Sequence, residues 1–148
     1  MLIPSLMFAL STFAINPNTD STRFVEVECL AQNILHEAPD ESYEGKLAVA
    51  TVTMNRVKNR NFPKTVCGVV YQPWQFSWTM IKHQSKFPLV LYKTARRIAE
   101  DVLYRQKRLE SIGNALFYHN TTVSPSWASS MTMIRKIGEH LFYVRTPA

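Results

Sequence analysis

The sequence predicts a single α+β domain, mainly helical, with a small β element. Three observations lead there. The 148 residues are 46% hydrophobic and 11% aromatic, enough for one compact core. Three long stretches repeat apolar residues at helical spacing in the first two thirds of the chain. Short extended segments follow only near the end.

Residues 1–15 carry no charged side chain. The apolar run resembles the apolar region of an export signal, although it is shorter than the roughly 20 apolar residues of a spanning helix and no Lys or Arg precedes it. Residues 1–16 are therefore read as a signal or membrane-associated segment, with a packed N-terminal helix as the alternative. A single folded domain is expected over residues 20–148. Pro17 and Asn18 mark a turn, after which Asp20 or Ser21 is expected to cap a helix. In that helix Phe24, Val27, Leu30, Ala31, Ile34, Leu35 and Ala38 form the inward stripe. Pro39 ends it, because proline cannot donate to the Leu35 carbonyl and disfavours helix at Ala38.

A second helix is expected over residues 42–58, with Leu47, Ala50, Met54 and Val57 on one face. Residues 65–71 read as a strand or a buried loop, and residues 73–79 as an aromatic loop. A third helix is expected over residues 89–106, with Leu91, Ala95, Ile98, Ala99, Val102 and Leu103 inward. Residues 114–120 and 139–144 read as short strands, joined by a Ser/Thr-rich loop that carries Pro125 and Trp127.

Glu37 stands out chemically. A carboxylate in the last turn of a helix faces the negative end of the macrodipole, and apolar neighbours add desolvation. Both favour the protonated form, which suits a general acid. The acidic turn of residues 37–44 is the only dense group of carboxylates, and Glu41 or Glu44 could supply the second carboxylate most glycosidases use. A surface turn between helices is the plain alternative. His36 and Glu37 lack the second His of a zinc helix, and His83, His119 and His140 lack ligand spacing, so neither a metal nor a cofactor is expected.

Cys29 and Cys67 read as buried thiols. Two other readings stay open: a Cys67 nucleophile paired with His119 or His140, as in a Cys/His peptidase, or a disulfide if the chain is exported. The net charge is +6, and residues 45–99 contain no Asp or Glu but ten basic residues, Lys46 and Arg56 among them. That suggests a basic rim for an acidic polymer, or a solvated face. Interleaved aromatics keep a non-enzymatic, single-stranded nucleic-acid binder as a formal competitor.

Seven blocks carry a resemblance. They are residues 36–41 (HEAPDE), 43–50 (YEGKLAVA), 54–57 (MNRV), 62–72 (FPKTVCGVVYQ), 75–77 (QFS), 115–120 (ALFYHN) and 137–142 (IGEHLF). In this order and spacing the chain resembles the cell-wall hydrolases that include spore cortex-lytic enzymes and related phage lysis proteins. The resemblance implies a lysozyme-like fold and a lytic transglycosylase that cuts peptidoglycan between N-acetylmuramic acid and N-acetylglucosamine, leaving a 1,6-anhydro ring. It implies Glu37 as the catalytic acid, with Glu41, Tyr118 and Asn120 in support. Gln75 and Ser77 would border the cleft and touch substrate. Trp74, Phe76 and Trp127, aromatics in expected loops, read on their own either as core residues or as substrate-binding faces that stack on sugar rings. The partner would be the peptidoglycan glycan strand rather than nucleic acid, with membrane association through residues 1–15 and a monomeric enzyme. Its place of action would be the periplasm or wall after export, or the host wall if the protein is phage-encoded. His36 replaces a family Gly, and Pro39 and Asp40 replace an Arg-Gly pair.

Overall fold

In the computed structural model, residues 17–81 and 86–147 are described. The expected signal or membrane-associated segment of residues 1–16 lies outside them, as do Lys82 and His83. Among the described residues, four α-helices come in order: α1 (Pro17–Glu37), α2 (Tyr43–Lys58), α3 (Val66–Val70) and α4 (Leu89–Tyr104). Strands β1 (Phe117–Asn120), β2 (Met131–Ile137) and β3 (His140–Arg145) follow. Short 3-10 turns lie at Ser77–Met80, Glu110–Ile112 and Ser126–Ser130.

Helix α2 divides the molecule. The run Leu47, Ala48, Val49, Ala50, Thr51, Val52, Thr53 and Met54 is buried all round, not on one stripe. Leu47, Ala50 and Met54 join the core built by α1, α3 and α4, where Leu30, Ile34, Val70, Ile98 and Val102 pack. Ala48 and Val52 face the other way, onto Ile112, Ala115, Ile137 and Phe142 beside the sheet. Uniform small and β-branched side chains let both layers approach the same helix. Ser42 caps its start by accepting the Gly45 N–H.

Polar groups on α2 hold the segment before β1. Asn55 Nδ2 donates to the carbonyls of Gly113 and Ala115 at 3.0 and 2.9 Å. Arg56 Nε donates to the Leu116 carbonyl at 2.7 Å. These bonds fix where β1 begins, and so where Tyr118 lies.

Several expectations need correction. Asp20 and Ser21 both lie inside helix α1 (Pro17–Glu37), so neither is its cap. Phe24 is 55% exposed and leaves the inward stripe, while its ring takes the Arg96 guanidinium at 4.8 Å. Residues 66–70, expected as strand or loop, form the helix α3, capped by Thr65. The Ser/Thr-rich connection contains β2. The sheet is antiparallel in the order β1-β3-β2. β2 escaped the pattern because it pairs only with β3, is largely exposed, and its register slips between Met133 and Arg135. That irregularity breaks the alternation from which a strand is recognised.

Cys29 on α1 and Cys67 on α3 form a disulfide. The bonded sulfur of Cys67 is no free nucleophile, which overturns the Cys/His peptidase alternative. The basic rim is also smaller than expected. Lys46 and Arg56 are only 6% and 3% exposed and serve the interior.

Candidate active site

Glu37 is the last residue of α1. Ala38 still donates to the Ile34 carbonyl at 2.9 Å, and Pro39 then stops the helix. The side chain emerges where two cavities meet, and it is the only described residue that lines both. One cavity, of about 450 Å³, is walled by the turn after α1 and by Asn120, Gly138, Glu139 and His140. The other, of about 310 Å³, is lined by Arg56, Trp74, Gln75, Phe76, Ser77 and Tyr118.

Burial pushes the Glu37 carboxyl above the usual carboxylate range. A hydrogen bond from the Tyr118 hydroxyl, 3.2 Å from Oε2, and the Arg56 charge pull the other way without cancelling that rise. The group is thus a weakened acid whose anion has a donor and a cation at hand. Burial, followed by the Glu37 charge, holds the Tyr118 phenol well above its ordinary range, so it remains a donor.

Arg56 sits among three rings. Its guanidinium carbon lies 5.4, 5.6 and 5.9 Å from the centroids of Phe62, Phe76 and Phe117. Cation–π contacts of this kind stabilise a desolvated guanidinium. Nη1 has no hydrogen-bond partner among the described residues.

Glu41 ties two turns together. Its Oε1 accepts the backbone N–H of Glu139 at 2.9 Å and lies 3.3 Å from His140 Nδ1. Burial holds the His140 imidazole below its usual value, with Glu41 opposing that effect. The carboxylate passes Gly138 so closely that a Cβ there would stand 1.8 Å from Glu41 Oε2. Gly138 also has φ +53°, a conformation side chains rarely adopt. From beneath, Lys46 Nζ donates to the Pro39 carbonyl at 3.0 Å and to the Glu41 carbonyl. His36 stacks on Trp78 at 4.2 Å and meets the Phe87 edge, so it packs behind the site.

The structure brings most predicted site residues together. Glu37, Glu41 and Asn120 line one cavity; Trp74, Gln75, Phe76, Ser77 and Tyr118 line the other with Glu37. Trp74 is 85% exposed and has φ 65°, an aromatic held bare in a strained backbone position at the cavity edge. Phe76 is buried, its ring against Arg56. Trp127 belongs to neither group; it packs on Phe117, His119 and Tyr143.

Arg56, Lys46 and His140 were not expected at the site. Arg56 and Lys46 read as surface charges, because the groups that bury them come from distant segments. His140 lacked ligand spacing, and its partner Glu41 lies almost a hundred residues away on the other turn.

The chain is similar to known proteins. A family model described as Cell Wall Hydrolase matches residues 40–143. Curated relatives include the spore cortex-lytic enzyme of Bacillus cereus, 32% identical over 118 residues. That alignment spans 79% of this chain and 43% of the relative. The enzyme of the same name from Bacillus subtilis is 33% identical over 119 residues, spanning 79% and 37%. The chain thus spans less than half the length of these relatives. Among solved structures, the catalytic domain of the Bacillus cereus SleB protein superposes with a TM-score of 0.65 at 30% identity, covering 80% of this chain and 89% of that one. The catalytic domain of the germination-specific lytic transglycosylase SleB from Bacillus anthracis gives 0.64 at 30% identity, covering 80% and 93%.

Proposed function

This chain belongs to the cell wall hydrolase family, and from that premise we propose that it is a peptidoglycan-degrading enzyme with Glu37 as its general acid and base. The observation that carries the proposal is the placement of one protonation-prone carboxyl where two substrate-sized cavities meet. A strand crossing both would present one glycosidic oxygen to it.

The reaction is a lytic transglycosylation at the bond between N-acetylmuramic acid and N-acetylglucosamine. Glu37 gives its proton to the glycosidic oxygen as the bond from C1 breaks. The muramyl C1 becomes oxocarbenium-like. Its own 6-hydroxyl then attacks C1, closing the 1,6-anhydro ring and returning the proton to Glu37. The Tyr118 hydroxyl and the Arg56 charge stabilise the carboxylate between the two proton transfers. An internal nucleophile also suits a site whose second carboxylate, Glu41, is engaged by the Glu139 N–H and His140. Trp74 offers a stacking face for a sugar ring, and Gln75 and Ser77 offer polar contacts beside it.

The target lies in the wall, outside the cytoplasm, and the Cys29–Cys67 disulfide suits an oxidising compartment. Digestion of purified sacculi with mass analysis of the fragments tests the reading. Muropeptides ending in anhydro-muramic acid are expected. Reducing ends would make the enzyme a hydrolase, and release of peptides without glycan scission would refute the assignment.

A further inference from the structure

The two cavities that share Glu37 differ in charge. The turn side carries Asp40, Glu41 and Glu139. Its imidazole, on His140, has Nδ1 turned to Glu41 Oε1 at 3.3 Å and is held toward the neutral form by burial. Lys46 lies under that turn, its ammonium committed to the Pro39 and Glu41 carbonyls. Among the described residues, the opposite side is lined by no acid besides Glu37 and by one permanent cation, Arg56. That guanidinium is fixed by the Leu116 carbonyl and three rings, yet Nη1 is unpaired among the described residues. An unpaired buried donor is costly unless a ligand completes it.

Peptidoglycan has a matching asymmetry. Only the muramyl residue bears a lactyl group, as a free carboxylate or as the attachment point of an acidic peptide. Two kinds of glycosidic bond alternate along the strand, and an acid at the junction could protonate either. We propose that the charge difference between the two cavities sets the strand's register: the anionic muramyl residue enters the Arg56 side, and the uncharged glucosaminyl residue lies along Asp40, Glu41 and Glu139. Register then decides which of the two bonds reaches Glu37. This inference rests on the proposed glycan-cleaving function and adds the residues that choose the bond.

The test uses sacculi stripped of stem peptide by an amidase, so that every lactyl carboxylate is free, and a second batch with those carboxylates capped as methylamides. Wild type should show kcat/KM about tenfold higher on the free-carboxylate strands, the scale of one charge-assisted contact. Its fragments should end at one sugar type. Arg56→Gln, if it melts like wild type, should bring the two batches close to equality. Asp40→Lys with Glu139→Lys, both exposed positions, should yield fragments ending in both sugars. Equal wild-type rates on the two batches overturn the proposal. So does a double-lysine variant that still cuts a single bond type, or a folded Arg56→Gln that keeps the full preference. Wild type that cuts neither batch refutes the glycan-cleaving function as well, so the two failures are distinct.

Discussion

Tyr118 donates its hydroxyl hydrogen to Glu37 Oε2 across 3.2 Å, from a strand 81 residues further along the chain. The bond favours the carboxylate, whereas burial favours the acid. Tyr118→Phe removes the opposing effect, so the Glu37 pKa should rise further. Activity needing the protonated acid should then persist to higher pH, moving the alkaline limb of the kcat/KM profile upward. The plateau should drop about tenfold or more, because a hydrogen bond to a charged group contributes about 1.5–3 kcal/mol. A profile with an unmoved alkaline limb would separate Tyr118 from the titration of Glu37.

Glu37→Gln should lower wall clearing by a factor of about 10² to 10⁴, the range general acid–base catalysis supplies. It should also stabilise the protein near neutrality. The sign follows from linkage: a carboxyl whose folded pKa is raised makes the native state the tighter proton binder. The native state therefore loses stability as pH climbs past the ordinary carboxylate value of 4.5. Gln carries no such penalty. Thermal melts at neutral and at low pH should show the variant's advantage shrinking in acid.

Gly138→Ala should destabilise by about 1–3 kcal/mol, combining a left-handed backbone with a clash against Glu41. Glu41→Ala relieves the clash but not the backbone strain, and it removes the acceptor of the Glu139 N–H. The double variant should thus be less destabilised than the sum of the two, which urea unfolding of the four proteins measures. Strict additivity would mean that the turn moves away from Glu41 without cost.

Reduction of Cys29–Cys67 should cost about 3–4 kcal/mol, the chain-entropy value for the sequence separation of 38 residues. Cys29→Ser with Cys67→Ser should unfold at lower urea than the oxidised protein and gain nothing from added oxidant. Wild type under a thiol reductant should converge on the variant's midpoint.

Lys46→Met keeps the stem but removes the ammonium that holds the Pro39 and Glu41 carbonyls. Leaving those acceptors unpaired should cost roughly 1–3 kcal/mol. Because they bound the turn directly after Glu37, kcat should fall more than KM rises. A change in stability with kcat intact would limit Lys46 to the fold.

The three long helices, the stop imposed by Pro39 and the position of Glu37 at the end of α1 were legible in the linear chain, because periodicity and proline act over a few residues. Resemblance to a family grouped Gln75, Ser77 and Tyr118 with Glu37, and the aromatic loop pointed to Trp74 and Phe76 as sugar-stacking faces. What no local pattern contained was the surroundings of that acid. Arg56 and Lys46 look like ordinary surface cations until Phe62, Phe76, Phe117 and two turn carbonyls arrive from separate segments to enclose them. β2 and Trp127 show the same limit, since pairing with β3 and packing on Tyr143 place them, whatever their local propensity. Backbone preferences and apolar spacing are short-range properties written into neighbouring residues. Desolvation and charge coupling at Glu37 depend on which distant groups meet in space, and only the folded chain brings those groups together.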